Sequence, residues 1–235
     1  MLDDQTVQVN FGRPVPIFPL VRVTLLPQQV LPLHIFEPRY KQMISESLDG
    51  SGQIAMAVFR GRQWKLDYHG KPPVMPAVCV GQIVQHEKLS DDRYNVLIQG
   101  VCRARITNEM PGDGERLFRL AMLEPVGVDD AGDVELDEVR EHMEHMLTTG
   151  ELSRLATAET ILEYVRNDDV PTHALLELVS FALVTDDRLR YRLLAEPDVQ
   201  TRADMLLGEL GHLRSLIRRG DVQRPDEWPK GLSWN

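Results

Sequence analysis

The spacing of apolar residues changes once along this chain, and that change constrains the fold more than any single motif. Before residue 127 apolar side chains come in short runs or alternate with polar ones. Cys102, Ala104 and Ile106, with Arg103 and Arg105 between them, show the period of two of a half-buried strand. After residue 127 they recur every three or four positions, as in Ala203, Leu206, Leu210, Leu213 and Ile217, the period of an amphipathic helix. Strands followed by helices predict an α+β protein.

Six runs in the first half read as strands: residues 15–20, 30–36, 53–60, 77–89, 94–106 and 117–126. Pro16 and Pro19 remove ladder donors from the first, which predicts an edge or irregular strand. The turn Ser90-Asp91-Asp92 predicts a hairpin between the fourth and fifth. Six strands with short turns predict a small barrel or a strongly curved sheet. One helix interrupts them. Pro38 suits its first position, Tyr40, Met43, Ile44 and Leu48 form one face, and Gly50 ends it.

The second half predicts helices over about 133–148, 152–165 and 171–184, then a short one capped by Thr185, then a long one capped by Asp198 and ended by Gly220. This is the pattern of a helical bundle. The tail, with Pro225, Trp228, Pro229 and Trp234, reads as irregular. The expected domains are 1–126 for the strands, 127–220 for the bundle and 221–235 for the tail.

The formal net charge of −10 is unevenly spread. Residues 1–126 carry 14 basic and 13 acidic residues, whereas residues 127–235 carry 12 basic and 23 acidic. Nine of those acids fall in residues 127–151, against the single base Arg140. Such a break marks a candidate boundary, and proteolysis is expected to cut near residues 127–132. The acidity argues against a general nucleic-acid binder and against a polybasic membrane anchor. The N-terminus lacks the basic and apolar regions of a secretory signal, and no run approaches ~18 uncharged apolar residues, so no membrane span is expected. With only two cysteines, Cys79 and Cys102, and no CxxC pair, the expectation is a reduced, soluble, cytoplasmic protein.

Catalytic motifs are missing from the chain. Gly70-Lys71 has neither the upstream glycine nor the Ser/Thr of a phosphate loop. Gly50-Ser51-Gly52 fails the spacing of a nucleophile elbow, and there is no HExxH. Glu141-His142-Met143-Glu144-His145 is the nearest approach to a metal motif, but no second helix carries a match, so it reads as a solvated helix face. Cys79 and Cys102 read as buried strand residues, and His34 as a satisfied core or rim histidine. No enzyme activity, cofactor or metal is expected.

One stretch is more specific. It runs Val15-Pro16-Ile17-Phe18-Pro19-Leu20, then Leu25-Leu26-Pro27, then Leu31-Pro32-Leu33-His34-Ile35-Phe36-Glu37-Pro38-Arg39-Tyr40. This resembles the opening of the N-terminal domain of Lon proteases, and its Phe-Glu-Pro-Arg-Tyr ending looks like the stand-alone members of that family. Gly81-Gln82-Ile83-Val84, the run Tyr94 through Gly100, and Arg103-Ala104-Arg105-Ile106 resemble the family's later strands. Residues 175–210 resemble the helical part, so the resemblance covers about residues 15–216. It implies a PUA-like β pseudo-barrel with one inserted helix, followed by a C-terminal α-helical bundle. It also implies a protein quality control role: binding of unfolded polypeptide or a protein partner, without the ATPase and peptidase domains. An RNA-associated PUA-like module is the alternative, with Arg103 and Arg105 as its basic residues.

The candidate polypeptide-binding surface is Phe36, Glu37, Arg39, Tyr40, Trp64 and Tyr68. Glu37 stands before a helix start, where it can cap the helix, pair with Arg39 or face a partner. Trp64 and Tyr68 lie in residues 61–76, the longest connection among the strands, together with His69, Lys71, Pro72 and Pro73. Gly81 and Gly100 are expected at bulges or close-packed corners.

Overall fold

The computed structural model describes residues 7–68, 70–112, 114–127 and 136–222. Its elements are β1 (Val15–Leu20), β2 (Val30–Ile35), α1 (Pro38–Leu48), β3 (Gln53–Val58), β4 (Ala77–Lys88), β5 (Tyr94–Glu109), β6 (Arg119–Pro125), α2 (Asp137–Thr148), α3 (Ala158–Val165), α4 (Thr172–Leu183), α5 (Asp187–Ala195) and α6 (Val199–Val222). They form two compact units. The first contains Met1–Gly132 and Thr185–Asp198, the second Asp133–Val184 and Val199–Asn235.

In the first unit the six strands run in the order β2-β5-β4-β3-β1-β6. β1 and β3 are parallel and every other pair is antiparallel. β5 is 16 residues long, and its length lets it pair with β2 near one end and with β6 near the other. The sheet therefore curls back on itself into the expected pseudo-barrel. Bulges at Val80/Gly81 and Ile106/Asn108 supply the bending.

Of the two alternatives for β1, edge or irregular, the edge is excluded, because β1 lies between β3 and β6. Its two ladders are staggered: β6 pairs with Val15–Ile17 and β3 with Ile17–Leu20. Neither ladder runs the strand's full length, which leaves room for two residues without donors. The edge strand is β2. Its hydrogen-bonding phase follows from the bonds around it. Gly100 N donates to Gln29 O at 2.8 Å, and at the far end Leu89 N donates to Arg93 O at 2.8 Å. Alternation from these points turns the backbone of Leu31, Leu33 and Ile35 toward β5 and that of Val30, Pro32 and His34 outward. Pro32 thus sits where its missing N–H costs the sheet nothing.

One core face gathers Phe18, Leu25, Leu26, Tyr40, Met43, Ile44, Ile54, Met56 and Ile98, with Leu194 from α5. The other gathers Val15, Ile17, Ala55, Val78, Val80 and Leu123. The alternation expected along β5 fails at Arg103, which is buried and donates to Leu193 O at 3.3 Å. Tyr191 Oη accepts from Ala77 N at 2.9 Å. These two contacts help place Thr185–Asp198 in the sheet unit, although chain order assigns it to the 127–220 bundle. The α5 cap is Asp186, whose carboxylate accepts from Leu189 N at 2.7 Å, rather than Thr185.

In the second unit α2 buries Val139, Met143, Met146 and Leu147, the face that periodicity predicts. The expected 152–165 helix divides into a 3-10 turn over Glu151–Arg154 and α3. Arg140 donates to Asn167 O at 3.3 Å and to Val170 O, closing the loop that follows α3. Arg202 and Glu177 face each other at 3.8 Å, both buried. α6 continues past Gly220 to Val222. The expected start of the acidic helix near Asp133, most of the expected cleavage site, His69 and the tail from residue 223 lie outside the described residues.

Candidate functional site

α1 organises the candidate residues. Pro38 at its first turn directs the chain, and Glu37 occupies the N-cap position. The Glu37 carboxylate makes no capping bond to the helix. It turns instead to Arg39, whose Nε donates to Glu37 Oε2 at 3.1 Å with Nη2 3.0 Å from the same oxygen. Tyr68 Oη donates to Glu37 Oε1 at 2.8 Å, and Arg39 Nη1 donates to Tyr68 O at 3.0 Å. The Arg39 guanidinium also stacks between two rings, 4.5 Å from the centroid of Tyr40 and 4.6 Å from that of Tyr68. Of the alternatives open for Glu37, pairing with Arg39 is the observed one.

This cluster fastens residues 61–76 to the start of α1. Phe59 continues the fastening, with its ring centroid 6.2 Å from Trp64 and 6.1 Å from Tyr68. The loop then holds Leu66 in solvent, 90% exposed. Tyr40 is placed differently from the expected surface. It is 4% exposed, packs 4.4 Å from Phe18, and donates from Oη to Pro19 O at 3.4 Å. A side chain this buried offers a partner almost no area, so Tyr40 is a core residue that supports Arg39 from below. Burial raises the Tyr40 and Tyr68 hydroxyl pKa values above the ordinary range, and hydrogen bonding to Glu37 adds to the rise at Tyr68. Both stay protonated donors.

Phe36 stands just before Glu37 and is 62% exposed. Its ring lies 6.3 Å from that of His34, which is bonded to Asn95 at 2.8 Å and Arg93 at 3.1 Å. The expected surface therefore separates into exposed Phe36, half-buried Trp64, the Glu37–Arg39–Tyr68 fastening and buried Tyr40. Beside Arg39 lies a cleft of about 200 Å³ lined by Ile17, Pro19, Leu117 and Phe118, with Lys71, Arg116 and Arg119 adding positive charge. Sequence reading missed Leu66 and this cleft. The isolated apolar residue within the polar run Lys65-Leu66-Asp67 was the one signal for the former; no local signal marks the latter.

The remaining candidates have structural partners. Arg103 is buried against Leu193 O, and Arg105 pairs with Glu124 at 3.6 Å, so the two residues offered for RNA are engaged within the fold. Glu144 of the His-rich α2 segment pairs with Arg166 at 2.6 Å. Cys79 is buried, and burial pushes the Cys102 thiol up to about 11, away from the thiolate a nucleophile needs.

The fastening yields an expected result. Arg39→Ala loses an ion pair, a backbone hydrogen bond and two stacking contacts, and is expected to cost about 2–3 kcal/mol. Limited proteolysis is expected to cut first within residues 61–76. Arg39→Lys is expected to rescue little, because an ammonium cannot stack between two rings. Equal protease resistance in all three proteins would disprove the fastening.

A curled six-stranded sheet with packed helices is the fold of solved Lon N-terminal domains. The N-terminal domain of a Mycobacterium avium complex Lon protease matches with a TM-score of 0.63 at 19% identity, covering 85% of this chain and 98% of that one. The Lon N-terminal domain protein from Xanthomonas campestris matches with a TM-score of 0.58 at 18% identity, covering 83% of this chain and 98% of that one. The family model for the ATP-dependent protease La (LON) substrate-binding domain matches residues 14–212, and the chain belongs to that family. Among curated relatives, the Lon protease of Haemophilus influenzae is 27% identical over 227 residues, 93% of this chain and 27% of that protein. The Lon protease of Desulfosudis oleivorans is 22% identical over 209 residues, 88% of this chain and 25% of that protein. The chain thus spans about a quarter of the length of these relatives.

Proposed function

We propose that this protein is a non-enzymatic module that binds unfolded polypeptide in cytoplasmic protein quality control. The observation that carries this reading is the substrate-binding family match over residues 14–212. The contact surface is Phe36, Trp64 and Leu66, with the apolar cleft beside Arg39. Unfolded chains offer apolar side chains, and exposed apolar groups bordered by cations suit them. Glu37, Arg39, Tyr40 and Tyr68 hold that surface in place.

Titration with a reduced, carboxymethylated model protein tests the reading. Binding in the micromolar range is expected, weakened at least about fivefold in a Phe36→Ser/Leu66→Ser variant, since two exposed apolar contacts are lost. No binding at high micromolar concentration, with the circular dichroism of the folded protein intact, would refute it.

A further inference from the structure

We infer that an unfolded polypeptide binds this protein as an added strand along the outer edge of β2, gripped through its backbone. The inference deepens the proposed function and rests on polypeptide being the ligand.

Three observations define the edge. β2 ends the sheet order, and its sole ladder partner among the described residues is β5. The phase fixed by Gly100 and Leu89 turns the backbone of Val30, Pro32 and His34 outward. Among the described residues no backbone bond is made at Val30, Pro32 or His34 on that side. The edge therefore offers two donors, from Val30 and His34, and three carbonyl acceptors. Donors and acceptors at this spacing match one occupant, an extended backbone, whatever its side chains. A binder of unfolded chains needs that tolerance of sequence.

The side chains next to the edge set a preference. Leu31 and Leu33 point to the core face but are only partly buried. Val30, Pro32 and His34 point to the opposite face, where Pro32 and His34 line a groove of about 410 Å³ with Asn95 and Leu97. An added strand places alternate side chains beside Leu31 and Leu33, so apolar residues at every second position complete their burial.

Pro32 decides between a foreign chain and a second copy. Two β2 edges paired about a two-fold axis lose two donors, one from each Pro32, and leave carbonyls unmatched. A proline-free strand on one β2 edge loses one. The edge thus disfavours self-association while still accepting an unfolded segment.

The probe is a nonapeptide of alternating valines and threonines with lysine at both ends, and its copy N-methylated through the five central residues. Hydrogen exchange of the Val30 and His34 amides, read by NMR, is expected to slow at least about tenfold when the unmodified peptide is added. The N-methylated copy is expected to bind about tenfold or more weakly, because its donors are gone while its side chains remain. Pro32→Val restores the missing donor and is expected to bind the unmodified peptide about threefold to tenfold more tightly. If the peptide binds but exchange at Val30 and His34 is unchanged and both copies bind equally, the edge inference is overturned and polypeptide binding stands. If neither the peptide nor the unfolded model protein binds, both readings fall.

Discussion

Gly100→Ala is expected to destabilise the protein by about 3 kcal/mol, although it adds one carbon atom. Gly100 pairs with Gly81 across β4 and β5, next to the shift in register at Val80/Gly81. A methyl group at Gly100 would overlap Leu26 O and lie 2.9 Å from the Leu26 carbonyl carbon and 3.1 Å from Cys79 Sγ. None of these can move aside cheaply. Leu26 and Cys79 are fully buried. The segment after Leu26 is also tied to Gly100 by Gln28 N to Gly100 O at 2.9 Å and Gly100 N to Gln29 O at 2.8 Å. Overpacking costs typically about 1–3 kcal/mol, and an obstacle made of backbone puts this site at the upper end. Gly208→Ala is the matching control. It lies in α6 with nothing within 4 Å of the added carbon, and is expected to stabilise by about 0.5–1 kcal/mol through helix propensity. Urea unfolding of both variants measures the contrast. A loss below about 1 kcal/mol at Gly100 would show that the corner has room.

Arg202→Met is expected to cost about 3–5 kcal/mol. The side chains of Arg202 and Glu177 are 8% and 6% exposed, 3.8 Å apart, one on α6 and one on α4. Water cannot replace the lost cation at that depth, so the carboxylate keeps its burial cost without the Arg202 charge. The double variant Arg202→Met/Glu177→Leu removes both charges from two helices whose buried faces are otherwise largely apolar, with Leu176 and Val179 on α4 and Ala203 and Leu206 on α6. It is expected to recover most of the loss, because well-packed apolar pairs replace buried ion pairs at little or no cost. Thermal melts of the single and double variants test this. A double variant no better than the single one would mean that the two charges act separately.

Element type and order could be read from the chain because periodicity is a local property. Six strands, the Pro38 helix and the acidic helix with Val139, Met143, Met146 and Leu147 inside all follow from spacing and punctuation. The family could be read for a similar reason, since the proline-laced run ending at Tyr40 is contiguous. The candidate site was legible only in part. Phe36, Glu37, Arg39, Trp64 and Tyr68 were identifiable as residue types with chemistry to offer, but spacing cannot say which will engage one another. Glu37 and Tyr68 lie 31 positions apart and meet at 2.8 Å.

Contacts between distant segments settled the rest. Tyr40 became core because β1 passes beneath α1, Arg103 became buried because α5 brings Leu193 O to it, and Thr185–Asp198 joined the sheet rather than the bundle. β1, expected at an edge or irregular from its prolines, lies inside the sheet, and β2 lies at the edge, because whether a missing N–H matters depends on which neighbouring strand it faces. The change of spacing near residue 127 therefore identifies which segments are strands and which are helices. Which of them pack together is decided by pairing and burial across long stretches of chain, and no local pattern encodes it.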